Sequence, residues 1–177
     1  MTPINGVVVG LVTAIDEEIP GRIKVHFTTH EAEHETDFIR IATTMGGKNR
    51  GTFFMPEIDD EVLVAFERGD VRFPYVVGFL WNGVDVPPAD HVRLRRIQSV
   101  NGHRITFVDA TESNGSKGAL IIEDAHGNVI TMSNGKIVIQ SMSLLEIEAQ
   151  TIVLQGRRPP NGEPPWRRVV SPNNNPL

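Results

Sequence analysis

No window of this chain longer than about ten residues sets apolar groups at i, i+3, i+4 and i+7, and 16 glycines and 12 prolines interrupt it at short intervals. Long helices are excluded, so the core must be built from strands. Apolar and β-branched runs fall at residues 6–15, 22–27, 37–43, 61–66 and 75–80, each bounded by Gly, Pro or acidic turn residues. A longer connection, residues 44–60 with Gly46, Gly47 and Gly51, separates the third run from the fourth.

This arrangement matches a five-stranded Greek-key barrel of OB type, whose closure removes open sheet edges. A five-stranded sandwich is the competing arrangement. After Trp81 the composition changes: Asn82-Gly83, Pro87-Pro88 and the basic cluster Arg93, Arg95 and Arg96 read as a seam. The expected division is therefore an OB-type domain over 1–83, a linker over 84–103, a strand array over 104–156 and a Pro-rich basic tail over 157–177.

The array constrains assembly. Runs at 103–108, 119–123, 128–132, 136–140, 144–149 and 151–154 alternate strictly. Ile105, Phe107, Leu120, Ile122, Ile130, Met132, Ile137, Ile139, Leu145, Ile147, Ile152 and Leu154 fall on one face. Arg104, Thr106, Glu123, Thr131, Lys136, Gln140, Glu146 and Glu148 fall on the other. A narrow meander with one apolar face needs a cover, and the sequence offers no helix or second sheet to supply it. Burying an Ile or Leu side chain is worth about 1.5 to 3 kcal/mol, so a lone chain forgoes roughly 20 to 35 kcal/mol over these positions. Other copies of the chain are the expected cover, giving an obligate homo-oligomer through residues 104–155. A meander folded back over the barrel is the alternative.

Charge and composition narrow the function classes. Residues 1–83 carry 13 acids and 7 bases, 84–156 carry 8 and 6, and 157–177 carry 1 and 4, within a net charge of -5. An acidic body with a short basic tail argues against the footprint of a nucleic-acid domain, and an OB-fold nucleic-acid-binding protein is kept as the alternative function. Nine of the eleven aromatics precede residue 84, but Phe27, Phe38, Phe66 and Phe79 sit in apolar strand contexts and are expected in the barrel core rather than on a base-stacking platform. With no cysteine, the chain has no disulfide, thiol nucleophile or thiolate metal site. Its longest apolar stretches, 7–12 and 76–81, are far below the roughly 18 to 20 residues of a membrane helix. MTPING has neither a basic start nor a cleavage site, so synthesis in the cytoplasm is expected.

Catalytic motifs are few. His30-Glu31-Ala32-Glu33-His34 is a literal H-E-x-x-H, but that pattern holds zinc only on a helix, and here it joins two strands with no identifiable third ligand. A solvated hairpin tip is expected, with a zinc hydrolase as the rival reading and adventitious metal the first suspect for any binding. None of Ser99, Ser113, Ser116, Ser133, Ser141, Ser143 and Ser171 lies in a Gly-x-Ser-x-Gly elbow. Gly46-Gly47-Lys48 lacks the Walker spacing, Asp59-Asp60-Glu61 reads as an acidic turn, and His126 in Asp124-Ala125-His126-Gly127-Asn128 reads as a hairpin tip. In the tail, Trp166 beside Pro165, Arg167 and Arg168 is a stiff apolar group suited to docking on an acidic surface.

An ordered series of motifs completes the reading. Gly21-Arg22-Ile23-Lys24-Val25, Ile39-Arg40-Ile41-Ala42, the glycines from Gly46 to Gly51, Phe54-Met55-Pro56-Glu57-Ile58-Asp59-Asp60-Glu61-Val62, Arg72-Phe73-Pro74 and Val77-Gly78-Phe79-Leu80-Trp81-Asn82-Gly83 follow one another. The series resembles the OB domain of contractile-tail spike proteins, the baseplate assembly protein V and VgrG-like spikes of contractile phages, type VI secretion systems and extracellular injection systems. Asn101-Gly102-His103-Arg104-Ile105 is similar to the segment that opens the family's second part, a three-chain β-helix.

The resemblance implies an all-β protein whose five-stranded OB barrel is followed by an intertwined trimeric β-helix or β-prism. Its trimer core would hold Ile105, Phe107, Leu120, Ile122, Ile137, Ile139, Leu145, Ile147, Ile152 and Leu154. It implies a non-enzymatic needle without cofactor, assembled into a phage tail or injection particle. The implied partners are a threefold baseplate hub, a PAAR-type tip and, indirectly, the inner tube; the target membrane is met only in transit, and nucleic acid is not a partner. Short phage spikes carry an apical His-x-His iron site that has no counterpart here, and the family often has Gly where Asp59 stands.

Overall fold

The structure is a computed structural model describing residues 4–27, 35–111, 115–156 and, for the backbone alone, 167–170. It divides into two compact units, Met1–Pro88 and Ala89–Leu177. The first contains β1 (Val7–Ile15), β2 (Arg22–Phe27), β3 (Ile39–Ile41), the short hairpin of β4 (Gly46–Gly47) and β5 (Arg50–Gly51), β6 (Glu61–Phe66) and β7 (Pro74–Phe79). Five of these close a barrel in the order β1-β2-β3-β7-β6, with β3 and β7 parallel and all other neighbours antiparallel.

Closure depends on β1, which pairs with β6 through Val7 to Leu11 and with β2 through Gly10 to Ile15. Serving two neighbours requires a bend, and the β1–β2 register shifts between Val12 and Ala14. At Gly10 the backbones crowd: an added Cβ would collide with Val25 Cγ1 and lie 2.8 Å from the His26 carbonyl oxygen. Inside the barrel Val12, Ile23, Val25, Ile39, Val62, Val64, Phe66 and Val76 are buried, following the period of two along β2 and β6.

The β1–β2 turn is tied by Asp16, whose Oδ1 accepts the N–H groups of Glu18 and Ile19, each at 3.0 Å. Its Oδ2 accepts Arg22 Nε at 2.8 Å, and these donors hold the carboxyl below its ordinary value. Asp59, at φ 74, occupies the left-handed region and donates its N–H to the Val12 carbonyl, anchoring the turn before β6.

Phe66 and the half-buried Phe27 join the core region as expected, their rings 5.9 Å apart, whereas Phe38 and Phe79 are exposed. Between Leu63 and Val64 the β6–β7 register shifts and leaves Val77 over, so the alternation read along 75–80 loses phase before Phe79.

The second unit holds β8 (Leu94–Gln98), β9 (Arg104–Val108), β10 (Ala119–Glu123), β11 (Val129–Ser133) and β12 (Lys136–Gln140), an antiparallel meander in the order β12-β11-β10-β9-β8. β13 (Ile152–Gln155) pairs separately with β14 (Arg167–Val170). Two elements differ from expectation. The stretch read as linker contains β8, because Arg95 and Arg96 masked its alternation. Residues 144–149 form no strand, since no backbone among the described residues pairs with them.

Replacing Gly10 with Ala is expected to destabilise the barrel by about 1 to 3 kcal/mol through overpacking against β2. Asp59→Gly, which relieves a left-handed side chain, should be stabilising by about 0.5 kcal/mol. Urea melts of both variants check the pair of signs.

Candidate interaction surface

The registers of the second unit fix what its two faces carry. Ile97 pairs with Ile105, Ile105 with Ile122, Ile122 with Ile130 and Ile130 with Ile139, so one isoleucine per strand crosses the whole sheet. Two residues away a parallel row runs Arg95, Phe107, Leu120, Met132 and Ile137. Because strand side chains alternate, both rows share one face. The five isoleucines are 37% to 54% exposed and Ile137 is 67% exposed, against at most 7% in the barrel core.

The opposite face carries two cross-strand polar pairs within the chain. Arg104 forks onto Glu123, with Nε to Oε2 at 2.8 Å and Nη2 to Oε1 at 2.6 Å. Arg96 Nε donates to Thr106 Oγ1 at 3.0 Å, and Thr106 is only 4% exposed. The Arg104 guanidinium holds the Glu123 carboxyl below its ordinary value of 4.5. This opposite face, which also carries half-buried Ile121, Val129 and Val138, is thus the better covered one, and the isoleucine face is the more exposed.

The β10–β11 tip at His126 is where the sequence suggested it. Asp124 Oδ1 accepts the N–H groups of His126 and Asn128, closing the β10–β11 turn. At the other end of β10, Gly118 has φ +90 and stands where a Cβ would strike the Val108 carbonyl oxygen. Arg95 pairs with Asp109 at the end of the apolar face.

Of the ten proposed core residues, Ile105, Phe107, Leu120, Ile122, Ile137 and Ile139 lie together on this face. Leu145 and Ile147 lie outside any strand, and Ile152 and Leu154 belong to the separate β13–β14 ribbon. Ile97 and Ile130 complete the ladder; Ile97 was concealed by its arginine neighbours. His30, His34 and Trp166 lie outside the described residues, while Arg167 and Arg168 stand on β14 opposite Gln155 and Leu154.

Among the described residues no three His, Asp or Glu side chains gather as a metal site, and no helix is long and apolar enough to cross a membrane. Phe38 is covered by cations, with Lys24 Nζ 5.4 Å and Arg22 Cζ 5.9 Å from the ring centre. Gly46 and Gly47 sit in a hairpin, and no phosphate cradle forms there.

A closed barrel in this strand order is followed in the chain by a sheet with one exposed apolar row. Residues 6–81 match the model of the type VI secretion system and phage-baseplate injector OB domain. The resemblance to baseplate and VgrG-like spikes is therefore shown over the barrel. The type VI secretion system spike protein VgrG1a of Pseudomonas aeruginosa is 36% identical over 72 residues, 38% of this chain and 11% of the relative. VgrG2a of the same organism is 31% identical over 116 residues, 60% of this chain and 14% of the relative. The Vibrio cholerae spike protein VgrG3 is 26% identical over 114 residues, 61% of this chain and 10% of the relative. The chain thus spans about a tenth of the length of these relatives, which are spike proteins by name.

Acid should expose the satisfied face. Glu123 has a depressed folded pKa, so its contribution is complete above 4.5 and is lost as pH falls through the folded value. Glu123→Gln should therefore lower the urea midpoint at pH 7 while shrinking the further loss between pH 5 and pH 3.

Proposed function

We propose that this chain is the structural spike of a contractile injection machine, assembled as a homotrimer through the isoleucine ladder. The supporting observation is that ladder: five strands present one isoleucine each, in register and exposed, beyond a barrel of the injector type. Three sheets with their ladders turned inward would make a three-walled prism in which every apolar row meets two copies of itself. Residues 144–155, alternating but unpaired over 144–149, would complete their pairing between chains and braid the prism, bringing Leu145, Ile147, Ile152 and Leu154 into the same core.

The reading gives each part a role. The barrel carries docking to a threefold baseplate hub, and the prism carries the shaft. A PAAR-type tip closes the front, and the tail with Trp166, Arg167 and Arg168 docks it. Work is mechanical: sheath contraction drives the inner tube, and the stiff prism ahead of it transmits force to the envelope. Stiffness follows from backbone ladders and interdigitated side chains that leave no isolated hinge. No step of this work needs a nucleophile, cofactor or nucleic acid.

Ile137 separates a trimer from a lone chain, because it is two-thirds exposed in the single copy. Ile137→Asp puts three unpaired carboxylates on one buried axis, which is costly. The variant is expected to lose the trimer in size-exclusion chromatography with light scattering. Gln140→Asp, on the other face, is expected to keep it. An Ile137→Asp protein of unchanged mass would remove this axis.

A further inference from the structure

The barrel unit carries a protruding hairpin and a cleft of matching chemistry. Residues 42–54 are exposed throughout, held as an arm by the β4–β5 pairing and by Thr52 Oγ1, which lies 2.6 Å from Thr43 Oγ1 and 2.8 Å from Thr44 Oγ1. The arm bears Met45 and Phe53 on its stem and Lys48-Asn49-Arg50 at its tip. Among the described residues neither Lys48 nor Arg50 forms an ion pair.

The cleft, of about 380 Å³, sets exposed Phe79, Trp81 and Val86 beside Asp60, Glu61 and Asp85, and no basic residue lines it. Asp60 accepts the Glu57 N–H and Asp85 accepts the Asn82 amide, both neutral donors, so the negative charge is uncompensated. An apolar slot with an acidic rim fits a cationic tip on an apolar stem.

We propose that the arm of one copy docks in the acidic aromatic cleft of the next copy of this chain. Phe54, the root of the arm, already forms a wall of its own chain's cleft. A paired hairpin holds its tip away from its root, so the tip is presented to a neighbour rather than folded back. A contact between two different patches of identical chains is head-to-tail, and it closes into a ring of three when successive copies are related by a threefold rotation, as in the trimer proposed above. The contact rests on the trimeric reading above and adds a second clasp, between barrels, to the axis formed by the sheets.

The absence of native cysteine makes the test specific. Full-length chains carrying Asn49→Cys or Asp85→Cys, each with a different affinity tag, are co-expressed, mildly oxidised and purified through both tags. A disulfide-linked mixed-tag dimer on non-reducing electrophoresis is the expected product, with each single variant alone giving little. Adding Lys48→Glu and Arg50→Glu to the Asn49→Cys chain should lower its yield several-fold. A trimeric native mass without the mixed dimer would overturn the arm contact and leave the spike reading standing. A monomeric native mass would remove both.

Discussion

The five-stranded sheet of the second unit leaves its isoleucine row more exposed than its opposite face, where Thr106 is buried and Arg104 and Glu123 are half-buried. Arg96 and Arg104 reach across strands to Thr106 and Glu123, so these four side chains on that face find partners within one chain. The isoleucine row is left 37% to 54% exposed in the single copy. Hydrophobic burial is the largest favourable contribution to folding, so such a sheet gains most of its stability from what covers it.

The barrel solves the opposite problem. Its edges vanish because one long strand bends enough to serve two neighbours, a bend that Gly10 permits and the register shift beside Val12 accommodates. Asp16 and Asp59 fix the turns on either side of that strand through backbone hydrogen bonds, so two acidic residues here are structural ties rather than chemical groups. The result is a small core sealed without outside help, surrounded by apolar groups it does not need: Phe53, Phe54, Phe79 and Trp81 lie outside it. Exposed aromatic area of this kind marks surfaces meant for other molecules.

Similarity to injector OB domains and to spike proteins therefore coincides with a division of labour visible in the packing. One unit is complete in itself, and the other presents a face that copies of the chain could complete.

The sequence by itself determined the all-β class, the five barrel strands and the common face of Ile105, Phe107, Leu120, Ile122, Ile137 and Ile139, because alternation with a period of two survives wherever a strand has one dry side. It could not reveal β8, whose Arg95 and Arg96 looked like a charge cluster until pairing placed one at the end of the apolar row and the other over Thr106. Nor could it show that residues 144–149 have no pairing strand among the described residues, or that Phe38 and Phe79 leave the core. Alternation records which side of a strand is apolar. Whether a neighbouring strand exists, and where a register shift reverses the phase, are matters of long-range pairing that only the tertiary structure decided.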